Sequence, residues 1–92
     1  MIAESLVGKF FHTTSRCEAG HVHAETQGRV LLAEGGLLLV ETFGFGDGMP
    51  YAQGLVRVDE FHERGAFFYE DAQGMRADYE DRFAPLATCE VR

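Results

Sequence analysis

Two apolar runs, Val30 to Ala33 and Leu37 to Phe43, meet at Glu34-Gly35-Gly36. They are too short and too tightly coupled to be two helices, and Gly-Gly accepts the positive φ that a tight hairpin demands. The pattern predicts a buried β-hairpin at the centre of the fold. Its second arm is unbroken from Leu37 to Val40, which predicts burial of that strand on both faces. Upstream, Leu6 to Thr13 carries aromatic and β-branched weight and reads as a first strand. Thr13 to Gly20 is polar and turn-like. From His21 to Thr26, Val22 and Ala24 alternate with His21, His23 and Glu25, the period of a half-exposed strand. That strand is expected to pass through Gly28, as a bend or bulge, into Val30 to Ala33.

Ala52 to Val58 and Ala66 to Tyr69 read as two further strands. Asp59 to Gly65 between them is a connecting turn, with room for one helical turn that plugs the core with Phe61. Ala72, Met75, Tyr79 and Phe83 then fall at helical spacing and form one apolar stripe, with Asp78, Glu80, Asp81 and Arg82 on the other faces. The stripe predicts a helix over about 71–84. Asp71 is placed to cap it and Pro85 to stop it. Five short antiparallel strands and one C-terminal helix make a mostly β, α+β fold. The expected form is a small SH3-like barrel or a curled sheet, in a single domain spanning 1–92.

One order of residues runs Gly28, Val30, Leu37 to Val40, Phe43, Gly48, Pro50, Leu55, Val56, Phe67 to Tyr69, Met75, Tyr79 and Glu80. It resembles a group of small uncharacterised bacterial proteins that are associated with mobile genetic elements and regarded as SH3-like barrels. The resemblance covers roughly Leu6 to Phe83 and rests on apolar and turn residues. It implies the barrel and imports no activity.

Charge narrows the partners. Fifteen Asp and Glu against eight Lys and Arg give a formal net charge of −7. Such a surface repels phosphate backbones, and the basic residues are scattered singly, so direct nucleic-acid binding is not expected. An acidic inhibitor that mimics nucleic acid is an alternative, and it requires the acids to form one continuous stripe. No apolar stretch reaches the ~18–20 residues of a membrane span, and no secretory signal opens the chain. The expected compartment is the cytoplasm, where Cys17 and Cys89 are expected as free thiols, the alternative being that they pair and tie the tail to an early turn.

Candidate chemistry is sparse. His12, Cys17, His21 and His23 are all zinc-ligand types in an H-x4-C-x3-H-x-H order. That set defines the rival reading, a small metal-binding protein or enzyme, although no C-x2-C pair supports it and no cofactor is expected. The pairs Glu60/Glu63 and Asp78/Asp81 read as solvated surface. The Gly44 to Tyr51 loop is different, because the fold has no evident use for its large apolar side chains. Phe45, Asp47, Met49 and Tyr51 are therefore the expected binding residues of a non-enzymatic module. They suit a protein or peptide, a basic one by charge, or a second copy of the chain. The competing expectation is that Phe45 and Tyr51 fold inward as plugs.

Overall fold

The structure is a computed structural model that describes residues 3–83. After a 3-10 turn at Ala3–Leu6 come β1 (Phe10–Arg16), β2 (Val22–Glu34), β3 (Leu37–Phe43) and β4 (Pro50–Arg57). They are followed by α1 (Val58–Glu63), β5 (Phe67–Tyr69) and α2 (Ala72–Arg82). The strands form one antiparallel sheet in the order β4-β3-β2-β1-β5. The sheet curls but does not close: β4 and β5 remain its two edges. The expected fold class holds, in its curled-sheet form. Closure is unnecessary here because a helix packs on each face and buries what a barrel would otherwise enclose.

The hairpin forms as expected, with Gly35 and Gly36 at φ 60° and 83°. Gly28 has a different task. A Cβ there would lie 2.1 Å from the Glu41 carbonyl oxygen and 3.0 Å from Phe11 Cζ. Glycine lets β2 pass this close to β3 while Phe11 crosses beneath. Two bulges on β2, at Glu25 opposite Thr13/Thr14 and at Leu31 between Val30 and Leu32, add the local twist that curls the sheet.

One face carries the apolar core of Leu6, Phe11, Val30, Leu38, Val40 and Phe61. Phe61 reaches it from α1, its ring 4.8 Å from that of Phe11. The opposite face of β1 and β5 lies under α2, where Met75 and Phe83 are buried. Asp71 caps α2 by accepting from the Gly74 N–H at 2.8 Å. Arg82 lies over the Phe67 ring, 4.4 Å from its centroid.

Several expectations need correction. Leu6 belongs to the 3-10 turn, and β1 runs from Phe10 to Arg16 rather than from Leu6 to Thr13. The Thr14 N–H and hydroxyl bond to the Arg64 carbonyl, which holds the strand past Thr13. β3 is buried on one face only, with Leu38 and Val40 inward and Leu37 exposed, because α2 docks over β1 and β5 instead. β4 begins at Pro50. Pro85 lies outside the described residues.

Candidate functional site

Strand alternation sends Phe11 and Thr13 to the core and leaves His12 on the face beneath α2, where it is fully buried. Its Nε2 lies 3.1 Å from Gln27 Oε1, and its Nδ1 lies 2.9 Å from the Tyr69 hydroxyl. Gln27 donates through Nε2 to the Gly44 carbonyl at 3.0 Å, which turns Oε1 towards the ring and makes His12 Nε2 the donor. Tyr69 donates to Asp78 Oδ2 at 2.5 Å, and Asp78 accepts from Arg82 Nε at 2.8 Å. One chain of polar contacts therefore runs from the Gly44 carbonyl through β2, β1 and β5 to α2. Aromatic rings enclose it: Phe45 stacks parallel to His12 at 6.5 Å, while Tyr69 and Phe83 present edges at 5.2 and 5.1 Å.

The environment sets three protonation states. Burial holds His12 below its ordinary 6.5, against a smaller upward pull from Gln27 and Asp78. Burial, then Asp78, pushes Tyr69 well above 10.0. Desolvation raises Asp78, but bonds from Tyr69 and Arg82 outweigh it and leave the carboxyl below 3.8.

The signs give a prediction. His12 resists protonation when folded, so its contribution is complete above pH 6.5 and is lost as pH falls below it. Asp78 adds a second acid loss below 3.8. Tyr69 resists ionisation when folded, so its contribution is complete below 10.0 and is lost as pH rises beyond. The array thus stabilises most between pH 6.5 and 10.0. Urea midpoints across pH, wild type against His12→Leu, test this. A variant that loses stability below 6.5 as steeply as wild type would refute the assignment to His12.

Between the Gly44–Pro50 loop and α2 lies a groove of about 720 Å³. Its walls include Phe10, Phe43, Phe45, Met75 and Tyr79, with Asp47, Arg76 and Glu80 among its charged members. Phe45 stacks on Tyr79 with centroids 5.1 Å apart and joins the loop to the helix. Asp47 Oδ1 accepts from the Met49 N–H at 3.0 Å, and Gly48 sits at φ 70°, so the loop is shaped by its own turn.

The four expected binding residues divide. Phe45 and Asp47 line the groove, and Phe45 is 40% exposed with one face on Tyr79, so it is both wall and partial plug. Met49 and Tyr51 are 60% and 69% exposed and line no part of it. Tyr51 is a β4 residue.

The candidate metal set comes together only in part: the His21 and His23 rings lie 6.5 Å apart and the Cys17 N–H bonds to the His21 carbonyl, while His12 is taken up in the array under α2. Both ring nitrogens of His12 are engaged within the array. β2 is an inner strand, and His23 is buried while His21 is exposed. Cys17, expected as a free thiol, is disulfide-bonded. The expectation rested on compartment alone, whereas pairing follows from proximity in the fold. Cys89 lies outside the described residues. Among the described residues no group of three or more His, Cys, Asp or Glu is arranged to hold a metal ion. The acids of α1 and those of α2 sit on opposite faces of the sheet. No helix among the described residues is long and apolar enough to cross a membrane.

Gln27, Tyr69 and Asp78 escaped the sequence reading as a site. Tyr69 passed as a strand residue and Asp78 as solvated surface. The available signal was Asp78 four residues before Arg82, an ion-pair spacing on a helix. No protein-family model, curated protein or solved structure matches the chain.

Proposed function

We propose that this chain is a small non-enzymatic interaction module that takes a segment of a partner protein or peptide in the groove between the Gly44–Pro50 loop and α2. The carrying observation is the groove itself, with aromatic and thioether walls and the carboxylates of Asp47 and Glu80 among its lining. Rigid rings with few polar handles suit recognition at low entropic cost. The two carboxylates, within a chain of net charge −7, favour a partner that brings an apolar side chain beside a lysine or arginine. The sealing of His12 supports binding over catalysis, since a general base needs reach to a substrate proton.

The test is a titration of isotope-labelled protein with short peptides pairing arginine or lysine with leucine or phenylalanine, followed by amide shifts. Shifts are expected at Phe45, Asp47, Tyr79 and Glu80. Phe45→Ala should weaken binding by about tenfold, the order of one aromatic anchor, with the fold intact. Shifts confined to the α1 side would overturn the reading. So would a Phe45→Ala variant that melts far earlier and binds as before, which is the behaviour of a plug.

A further inference from the structure

The core face of the sheet is not filled out to its β4 edge. Register places Val56, Gly54 and Ala52 of β4 opposite Leu38, Val40 and Thr42 of β3, and directly paired residues share a face. Leu38 and Val40 are buried, yet Gly54 and Ala52 are exposed. Two causes combine. The β4 positions carry only a hydrogen and a methyl, and α1 brings about 9 Å of helix to cover about 26 Å of strand. What remains is a cavity of about 280 Å³ between β4 and α1. It lies on the opposite face of the sheet from α2 and its groove.

The cavity has an apolar floor and one polar feature within it. Phe11, Val40 and Phe61 form the floor. Thr13 and Thr26 also line it, with their hydroxyl oxygens 2.6 Å apart. Each hydroxyl carries one hydrogen, and the bond between the two uses only one of them. The other has no acceptor among the described residues, so solvent in the open cavity must accept it. A molecule that displaces this solvent has to bring its own acceptor or leave a hydroxyl unmatched.

The rim argues against an ionic occupant. Arg64 stands there, but its guanidinium already faces Glu25 at 3.7 Å, and Glu60 lines the same rim. One cation between two carboxylates selects no anion, and an apolar floor is a poor host for charge of either sign.

We propose that this cavity binds a small uncharged ring compound bearing a carbonyl oxygen. Its ring lies against Phe11, Val40 and Phe61, and its oxygen accepts from the Thr13–Thr26 pair. A space of about 280 Å³ stands just under the ~300–1,000 Å³ of most small-molecule sites, which suits one ring rather than several. The cavity and the peptide groove share no lining residue, so either reading survives the failure of the other.

Acetophenone, toluene and benzoate are the probes, each titrated into isotope-labelled protein and followed by amide shifts. Acetophenone should move Thr13, Thr26, Ala52 and Gly54 and leave Phe45 and Tyr79 in place, at the roughly millimolar strength of so small a ligand. Toluene has the ring without the acceptor and should bind about fivefold more weakly, the order of one hydrogen bond. Benzoate should move none of these residues. Thr13→Val/Thr26→Val removes both hydroxyls together, a paired change close to neutral for folding, and should bind acetophenone and toluene equally. Gly54→Val tests the space itself. A Cβ there meets nothing within 4 Å, so the circular dichroism spectrum should stay unchanged while acetophenone binding is lost. The inference fails if acetophenone moves no cavity residue, or if toluene or benzoate matches it. It fails equally if the preference for acetophenone survives Thr13→Val/Thr26→Val, or if Gly54→Val binds as the wild type does.

Discussion

Gly28→Ala is expected to be the most damaging single-methyl change in this protein. The added Cβ would sit 2.1 Å from the Glu41 carbonyl oxygen and 3.0 Å from both its carbon and Phe11 Cζ. Overpacked cores cost about 1–3 kcal/mol when side chains can shift, and here the obstacle is the backbone of the neighbouring strand. Relief requires β2 and β3 to part at Gly28↔Thr42, beside the buried Val30↔Val40 pair. A loss beyond about 3 kcal/mol is a large share of the ~5–15 kcal/mol that holds a domain together. Gly54→Ala is the control, since a Cβ there meets nothing within 4 Å. Urea midpoints should fall sharply for Gly28→Ala and stay level for Gly54→Ala. Equal midpoints would mean that the close approach of β2 to β3 does not require glycine.

His12→Leu is expected to loosen two distant elements together. Leucine keeps apolar volume but leaves Gln27 Oε1 without its donor in a buried setting, at a cost of about 1–3 kcal/mol. Gln27 also holds the Gly44 carbonyl, so the loop loses its orienting partner. Tyr69 keeps Asp78 but loses its tie to β1. Amide exchange should quicken both in residues 44–49 and in α2. Tyr69→Phe separates the two effects, since it removes the hydroxyl that meets His12 Nδ1 and Asp78 but leaves Gln27 on the ring and on the Gly44 carbonyl, and it should quicken α2 while sparing the loop. Exchange that quickens in α2 alone after His12→Leu would show that the loop does not depend on the histidine.

The sheet was legible because its signals are local. Gly35-Gly36 announces a hairpin, alternation marks β2, and the stripe from Ala72 to Phe83 marks α2. Phe61 as core plug and Asp71 as cap were readable for the same reason. The apolar run Leu37 to Val40 misled, because which face of β3 receives a helix depends on where α2 docks, and that is set by Tyr69, Asp78 and Phe83. The groove was half legible. Phe45 and Asp47 stood out as residues without an evident structural duty, but their partners Met75, Tyr79 and Glu80 come from a helix far along the chain. His12 drew attention for its ligand type, whereas its partners Gln27, Tyr69 and Asp78 are gathered by strand register and helix docking, which leave no spacing signal. Cys17 failed for a related reason, since no local pattern states whether a thiol has a neighbour.

Because the loop and α2 are tied to the same histidine, the two walls of the groove cannot be set independently. A molecule that bridges Phe45 and Tyr79 favours the state in which Gly44, Gln27, His12, Tyr69 and Asp78 are all engaged. Occupancy is then coupled to global unfolding rather than to local ordering of a loop. At a free concentration one hundred times its dissociation constant, such a molecule adds about 2.7 kcal/mol to the unfolding free energy. The melting temperature of the whole chain becomes a calorimetric gauge of how full the groove is.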